Sequence, residues 1–478
     1  METSIDYYRS LVNRIWSLPK LNHCHFGIDS PTIVYFPGPT HTSLSLGHLS
    51  VQYIDFRFSE LSQLIDYTPN LQHLSISINN RSMNRDFIQT APSIVSLKLN
   101  VRDAPFVFAR LLQYMPNLNH LTVNSLDTYF GNIRNVIGFR LDDPDFHYAN
   151  LCANKPSIHM NGLKWEQIIV NHLPKLKTFR LKMTMQYWSN NNKEDDVDKL
   201  LISFGSHFWV RERQWFIRCD WSSEPKSPYI CLYTLPYAFD HFDTHTAFIR
   251  SKSTCPNEHD YWLYDHVYNL HYDSSLTNSS ALNRACFSNI HHLSIDLPST
   301  NNIWSALSTF DRLNSCNVFI LKDAVKNCDQ LQMLLDQAPN LYSLKLTCKN
   351  FPLSELLLLK NNSTSVRRLD LYEYAAHKDW QCFNRKQCIE LCNSPLGRQC
   401  EVLRIKVENP MDAIELIYSM SNLRALNVQI MNDECNVSDF KPSSTDDEVL
   451  QVLQRSLDYS CVATRNQFDS RFIQLWIR

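Results

Sequence analysis

A short pattern of apolar and polar positions recurs along most of the chain. It consists of an apolar residue, two variable residues, a second apolar residue, a polar residue and a third apolar residue. Its clearest copies begin at Leu71, Leu118 and Leu341, each directly after the dipeptide Pro-Asn. The copies are spaced mostly by 23 to 26 residues and begin at Leu21, Leu46, Leu71, Ile94 and Leu118, and again at Ile290, Cys316, Leu341, Val366, Cys400 and Leu423.

Segments with helical spacing precede these copies. Within 60–67 the apolar residues lie three and four positions apart, which predicts a helix. Pro69 then ends the helix, because proline cannot continue it and biases the preceding residue toward extended structure. Residues 71–78 alternate between apolar and polar side chains, which predicts a strand with one buried face. The same order of helix and strand is predicted for 106–123, 165–183, 331–347 and 413–430.

A regular spacing of this length indicates a repeat protein. Periods of about 20 to 29 residues are typical of leucine-rich repeats. One helix and one strand cannot close a core alone, so neighbouring units must bury each other's apolar faces. We therefore predict an α/β fold, a leucine-rich-repeat-like solenoid (horseshoe) with a parallel inner sheet and outer helices, interrupted by an irregular insertion.

The pattern is disturbed in the middle of the chain. We predict N-terminal repeat units over 1–184, an aromatic-rich insertion or degenerate repeats over 185–285, and C-terminal repeat units over 286–478 that end in a capping strand. Within the insertion, two strand-like runs at 215–221 and 229–233 predict a hairpin. Polar or acidic segments predicted to be surface loops lie at 142–145, 190–198 and 432–448.

Composition disfavours several classes of function. The chain has 8 glycines in 478 residues, where an average usage of about 7% predicts roughly 33. Sites that cradle phosphate groups need glycine so that backbone amides can approach the ligand. No G-x-G-x-x-G motif, Walker loop or G-x-S-x-G motif occurs in the sequence. The net charge of −2 gives no global field that would draw the chain to nucleic acid or anionic lipid.

The cysteines and the hydropathy bear on the compartment. The 15 cysteines are scattered, and no two form a C-x-x-C pair. Cys388 and Cys392 lie four residues apart on a predicted helix, where a redox or metal-binding pair competes with the commoner alternative of buried thiols. The sequence shows no secretory leader and no apolar run of about 18 residues. We therefore expect a cytoplasmic or nuclear protein with no membrane partner.

The repeats at 21–124 and 290–430 resemble those of F-box/leucine-rich-repeat proteins, as do the aromatic block at 208–239 and the segment Ser-Pro-Leu-Gly-Arg-Gln-Cys-Glu-Val-Leu-Arg-Ile at 394–405. In that family an F-box precedes the repeats and docks the adaptor of a cullin ubiquitin ligase. Here the repeat pattern already accounts for 7–21 as helix and turn, so we expect no F-box in this chain. The resemblance implies a substrate-recognition region, with the cullin-ligase adaptor as partner only if an F-box lies outside the chain.

The polar residues of the pattern are the candidate binding residues. Because side chains alternate across a strand, they point away from the core toward the concave surface that solenoids present to partners. We predict a protein ligand there, with Tyr372 and Arg404 as anchors; the alternative is a solvated face without a partner. The predicted binding residues are Thr122, Asn124, Arg180, Lys182, Asp296, Lys345, Asp370, Tyr372, Arg404, Lys406, Asn427 and Gln429.

A histidine cluster in the insertion gives a rival hypothesis, a metal-binding or enzymatic site. The sequence around it lacks an H-E-x-x-H motif, and an ordinary aromatic loop is the simpler explanation. A third possibility is a scaffold or a decayed paralogue without a defined ligand. The cluster consists of His241, His245, His259, His266 and His271, with Cys255, Asp243, Asp260 and Asp265 among them.

Arginines also interleave with aromatic residues in the insertion. Arg211, Arg213 and Arg218 lie near Trp209 and Trp215, a combination that single-stranded nucleic-acid sites use. Alternation on a strand explains it equally, with rings inward and arginines in solvent or stacked on the rings. The near-neutral charge favours the second explanation. We therefore predict a non-catalytic protein with no cofactor, no bound metal and no nucleic-acid partner.

Overall fold

The computed structural model gives a mixed α/β fold in which the described residues form 19 strands in two open, largely parallel sheets. The chain divides into two units, the first comprising Met1–Ala238 and Thr246–Tyr261 and the second comprising Phe239–His245 and Trp262–Arg478. The structure describes residues 4–27, 35–79, 90–102, 111–126, 161–186, 193–222, 229–244, 250–257, 261–272, 284–299, 304, 306–307, 309–320, 325–348, 361–372, 382–431, 448–457, 461–466 and 471–477.

A helix precedes several of the strands in the described residues, whereas the strands between residues 216 and 320 follow one another without a described helix between them. The strands are β1 (His23–Gly27), β2 (His48–Phe56), β3 (His73–Asn79), β4 (Ser96–Arg102), β5 (His120–Leu126), β6 (Thr178–Gln186), β7 (Phe216–Trp221), β8 (Tyr229–Leu235), β9 (His241–Asp243), β10 (Arg250–Ser253), β11 (Asn269–Tyr272), β12 (His292–Leu297), β13 (Ser315–Ile320), β14 (Ser343–Cys348), β15 (Arg368–Asp370), β16 (Val402–Val407), β17 (Ala425–Ile430), β18 (Cys461–Arg465) and β19 (Phe472–Ile477). The helices are α1 (Ser4–Trp16), α2 (Phe58–Asp66), α3 (Gly162–His172), α4 (Lys193–Ser203), α5 (Val325–Gln337), α6 (Arg385–Asn393), α7 (Pro395–Gln399), α8 (Pro410–Ser419) and α9 (Glu448–Ser456), with a π-helix at Phe208–Glu212.

Each unit contains one sheet. In the first unit the strand order is β1-β2-β3-β4-β5-β6-β8-β7-β10, with parallel pairing from β1 to β6 and antiparallel pairing beyond. In the second the order is β18-β19-β17-β16-β15-β14-β13-β12-β11-β9, with parallel pairing from β9 to β17. Equivalent residues of successive copies face each other, as His48 does with His73 and Ser315 with Ser343.

Most strands bury alternate side chains, as the pattern predicts, whereas β7 and β8 bury nearly every side chain. On β17, Leu426, Val428 and Ile430 are at most 2% exposed, whereas the residues between them are partly exposed. The helices predicted within 7–16, 60–67, 165–183, 331–347 and 413–430 are confirmed as α1, α2, α3, α5 and α8. The helical half predicted within 106–123 lies partly outside the described residues, and its strand is β5.

An asparagine in the turn before several strands ties one copy of the pattern to the previous copy. The side-chain amide of Asn70 donates to the Leu44 carbonyl oxygen at 2.7 Å, and that of Asn340 donates to the Asp311 oxygen at 2.8 Å. The Pro-Asn dipeptide, which the sequence indicated only as a helix stop, thus also links neighbouring copies. Asn117, Asn289 and Asn422 make the equivalent bonds to Pro92, Asp265 and Arg398.

The predicted acidic loop at 190–198 is wrong for 193–198, which form the start of α4. Glu194, Asp195 and Asp196 lie in its first turn, where carboxylates interact favourably with the helix dipole. Lys252 on β10 also pairs with Glu194 at 3.1 Å and with Asp198 at 2.8 Å. Residues 190–192 and the predicted loops at 142–145 and 432–447 lie outside the described residues.

The copy of the pattern assigned to begin at Cys316 actually begins three residues earlier. Ser315 pairs with Ser343, so Leu313 occupies the position that Leu341 has in the next copy. Cys316 is the second apolar position and is fully buried. Cysteine packs as a small apolar residue, and Phe319 and Leu321 gave an approximate match in the later register, in which the polar position falls on Ile320.

The hairpin predicted in the insertion is confirmed. β7 and β8 pair antiparallel, and β8 joins the sheet of the first unit through β6. At the chain's end, β19 pairs antiparallel with β17, and β18 pairs with the other side of β19. The boundaries proposed at 184/185 and 285/286 stay predictions.

We expect that replacing Asn70 by Ala lowers the free energy of unfolding of the first unit by about 1 kcal/mol, the net contribution of one hydrogen bond. Denaturant titration followed by circular dichroism measures this. Asn171→Ala, at an exposed position of α3, is the matched control and should change stability by less than about 0.5 kcal/mol. Equal effects of the two substitutions would contradict the role given to Asn70.

Candidate functional site

Eleven of the twelve predicted binding residues lie on strands, and Tyr372 lies two residues beyond the end of β15. All alternate with buried side chains and therefore lie on the side of the sheet opposite the core. Arg180 is exposed, and most of the others are partly exposed. The first unit carries Thr122, Asn124, Arg180 and Lys182; the second carries Asp296, Lys345, Asp370, Tyr372, Arg404, Lys406, Asn427 and Gln429.

The expectation that Asp370 and Tyr372 are exposed is wrong, because they are only 8% and 7% exposed. Phe472 on β19 packs edge-on against the Tyr372 ring, with 4.7 Å between ring centroids. Asp370 accepts a hydrogen bond from the Tyr372 backbone N–H at 3.1 Å. It is paired with Arg404 on the neighbouring strand β16. Both side chains contact Arg404 and are themselves largely shielded from solvent.

Arg404 is held by two rings and a carboxylate. Its guanidinium carbon lies 4.9 Å from the Tyr372 ring centroid and 4.5 Å from that of Phe472. Its Nη1 atom is 3.6 Å from Asp370 Oδ2, and 31% of the side chain stays exposed. Cation–π contacts are worth ~0.5–2 kcal/mol each, so the guanidinium is fixed while one edge faces solvent.

Strand register places Arg404 in a continuous row of polar side chains in the second unit, which we call the polar row. Its neighbours contact one another: His271 Nδ1 is 3.8 Å from Asp243 Oδ2, and Asn317 Nδ2 donates to Ser294 Oγ at 3.4 Å. The row consists of Asp243, His271, Ser294, Asn317, Lys345, Asp370, Arg404, Asn427 and Gln474.

The first unit carries a row of a different kind, which we call the histidine row: His23, His48, His73, Ser96, His120 and Thr178. The rings of His23 and His48 are stacked with 4.0 Å between centroids and 11° between planes. His48 and His73 are stacked at 4.1 Å and 5°. The histidine row was not predicted, although histidine recurs two residues after Leu21, Leu46, Leu71 and Leu118 in the sequence.

The two adjacent rings affect the protonation of His48. Partial burial, followed by the neighbouring His73 and His23, lowers the pKa of His48 below its usual value. The three rings line one shallow depression together with His25 and other side chains of β1–β4. Cys24 is no nucleophile there, because burial raises the pKa of its thiol to about 11.

Arg218 and Asp220 on β7 and Tyr233 on β8 form a buried polar cluster on one side of these two strands. Arg218 was expected in solvent or stacked on a ring, but it is fully buried and its Nη1 atom donates to the Tyr261 carbonyl oxygen at 3.1 Å. The Tyr233 hydroxyl donates to Asp220 Oδ2 at 2.6 Å. Arg213 does stack, with its guanidinium carbon 5.4 Å from the Trp215 ring centroid.

The described residues give no support to the metal hypothesis. His241 and His271 lie on β9 and β11, and His266 is exposed in the preceding turn. Cys255 belongs to the first unit, and His245, His259 and Asp260 lie outside the described residues. Within the described part of the chain, no three His, Cys, Asp or Glu side chains are arranged to hold a metal ion.

Cys388 and Cys392 do lie on a helix, α6, and both are buried. Burial raises the pKa of the Cys392 thiol to about 11 and that of Cys388 well above its usual value. Both thiols therefore stay protonated near neutral pH, and thiolate chemistry is disfavoured.

Neither protein-family models nor curated proteins give a match to this chain. No helix among the described residues is long and apolar enough to span a bilayer. Function must therefore be inferred from the side chains themselves.

The buried carboxyl group makes a pH-dependent prediction. Burial raises the pKa of Asp220 to about 6, although hydrogen bonds from Tyr233 and Ser251 and the charge of Arg218 act in the opposite direction. A raised folded-state pKa gives stability that is present below about pH 4, the unfolded value, and is lost as the pH rises through about 6.

We therefore expect the stability of the natural protein relative to Asp220→Asn to fall by about 2 kcal/mol between pH 4 and pH 8. Denaturant titrations across this range measure the difference. Asp66→Asn, on the exposed face of α2, is the control and should show no such trend. Parallel pH profiles for the natural protein and Asp220→Asn would contradict the assignment.

Proposed function

We propose that the chain is a non-catalytic, leucine-rich-repeat-like solenoid that binds a protein ligand on the polar faces of its sheets. The observation that carries this is the polar row with Arg404 fixed between Tyr372 and Phe472. Binding energy at protein interfaces concentrates on such arginine and aromatic residues. The parallel, in-register strands and the asparagine bonds between neighbouring copies support the solenoid.

The dimensions favour a polypeptide over a small molecule. The polar row crosses nine strands, and neighbouring strands lie about 4.8 Å apart, so the row is roughly 40 Å long. Small-molecule sites are concave cavities that bury most of their ligand. A long row of separate donors, acceptors and charges instead matches an extended protein surface.

We also propose, from the resemblance alone, that the ligand is a substrate of an F-box-type ubiquitin ligase. A cullin-ligase adaptor is a partner only if an F-box lies outside this chain. Inhibition of cullin ligases in cells should then raise the amount of ligand that co-purifies with the protein. An unchanged amount of ligand would contradict the ligase role and leave the binding role standing.

A charge-reversal pair tests the binding face. Lys345→Glu combined with Lys406→Glu reverses two charges on the polar face of the second unit. We expect recovery of the specific ligand in quantitative affinity purification to fall at least about tenfold, because like charges across an interface oppose association.

Lys386→Glu on α6, where 86% of the side chain is exposed, is the matched control and should retain the ligand. The same set of proteins recovered with the natural chain, the control and the double variant would contradict the proposal.

A further inference from the structure

The polar face of the first unit is rich in basic residues and poor in acidic ones. Beside the histidine row it carries His25, Lys98, Arg180 and Lys182. On the described side chains of β1–β6, the acidic group is Asp55 on β2. The whole chain has a net charge of −2, so this positive face is a local feature.

We propose that this face binds an acidic segment of a protein partner, and that the binding strengthens as the pH falls through the range in which imidazole takes up protons. The inference rests on the proposed function and gives the partner's chemistry. Its basis is charge complementarity combined with the stacking of His23, His48 and His73.

The stack couples protonation to binding. The titratable and charged groups that line the depression with His48 are His23, Cys24 and His25 on β1, His73 on β3 and Lys98 on β4. The Cys24 thiol stays protonated over the range concerned, because burial raises its pKa to about 11. The histidines and the lysine are basic, so a proton added to one ring of the stack meets a like charge about 4 Å away whenever the adjacent ring is also protonated. A carboxylate against the rings offsets this repulsion, so acidic groups and protons bind to the stack cooperatively.

The face has the size of a short polypeptide segment. His23 lies on β1 and His120 on β5, so four steps between neighbouring strands separate them. With about 4.8 Å between strands the distance is roughly 19 Å. An extended chain rises about 3.3 Å per residue, so about six residues cover the row.

Nucleic acid is the competing anionic partner. Single-stranded nucleic-acid sites combine cations with aromatic rings on which bases stack. The two rows nearest the depression carry no described Phe, Tyr or Trp side chain, and both faces of the His48 ring are covered by its neighbours. These features favour a carboxylate-rich segment.

The test measures binding of a fluorescently labelled hexaglutamate peptide to the full chain at pH 7.5 and pH 5.5, at constant ionic strength. Glutamate stays largely ionised over this range. We expect binding about tenfold tighter at pH 5.5. A hexaglutamine peptide should not bind, and an oligothymidine of equal charge should bind more weakly than hexaglutamate.

Variants separate the stack from general charge. In the triple variant His23→Gln, His48→Gln and His73→Gln, shown to be folded by circular dichroism, the pH effect should fall below about twofold. Lys98→Gln should weaken binding at both pH values and keep the ratio. His266→Gln, at an exposed position of the second unit, is the control.

Three outcomes would overturn the inference: absence of hexaglutamate binding at pH 5.5, an unchanged pH effect in the triple variant, or tighter binding of the oligonucleotide. None of these outcomes bears on whether the second unit binds a ligand. The charge-reversal pair in the second unit tests the proposed function separately.

Discussion

The parallel register between successive strands is the constraint on which the rest of the structure depends. Ser315 faces Ser343, and His48 faces His73, so each copy presents the same pattern position to its neighbour. A slip of one residue would move every apolar side chain of a strand to the opposite side of the sheet. The turn asparagines reinforce the register, because their bonds join one copy to the copy before it.

The same register builds the candidate sites. Residues far apart in sequence become neighbours in a row, as Asp370, Arg404 and Asn427 do in the second unit. The apolar side of each sheet is committed to packing, so variation is tolerated mainly on the polar side. Two units with similar strands therefore carry different chemistry, a fixed arginine between rings in one and a stack of imidazoles in the other.

The local pattern of apolar and polar residues predicted features that depend on neighbours along the chain. It did not predict the burial of side chains that depends on contacts with residues distant in sequence. Most strands and helices followed from spacing, and so did the side of the sheet on which Lys345 and Asn427 lie. The burial of Tyr372 depends on Phe472, and that of Arg218 involves Tyr261; neither contact is encoded locally. The histidine stack was within reach of the sequence, since histidine recurs at one position of the pattern, but its 4 Å spacing follows only from strand pairing.

Photo-cross-linking shows whether a protein ligand lies on the polar side of the sheet. A photoreactive residue would replace Asn317 in the polar row or, separately, Met333, which is 44% exposed on α5 of the same unit. We expect a covalent adduct with the ligand from position 317 and none from position 333. An adduct from position 333 alone would contradict this expectation.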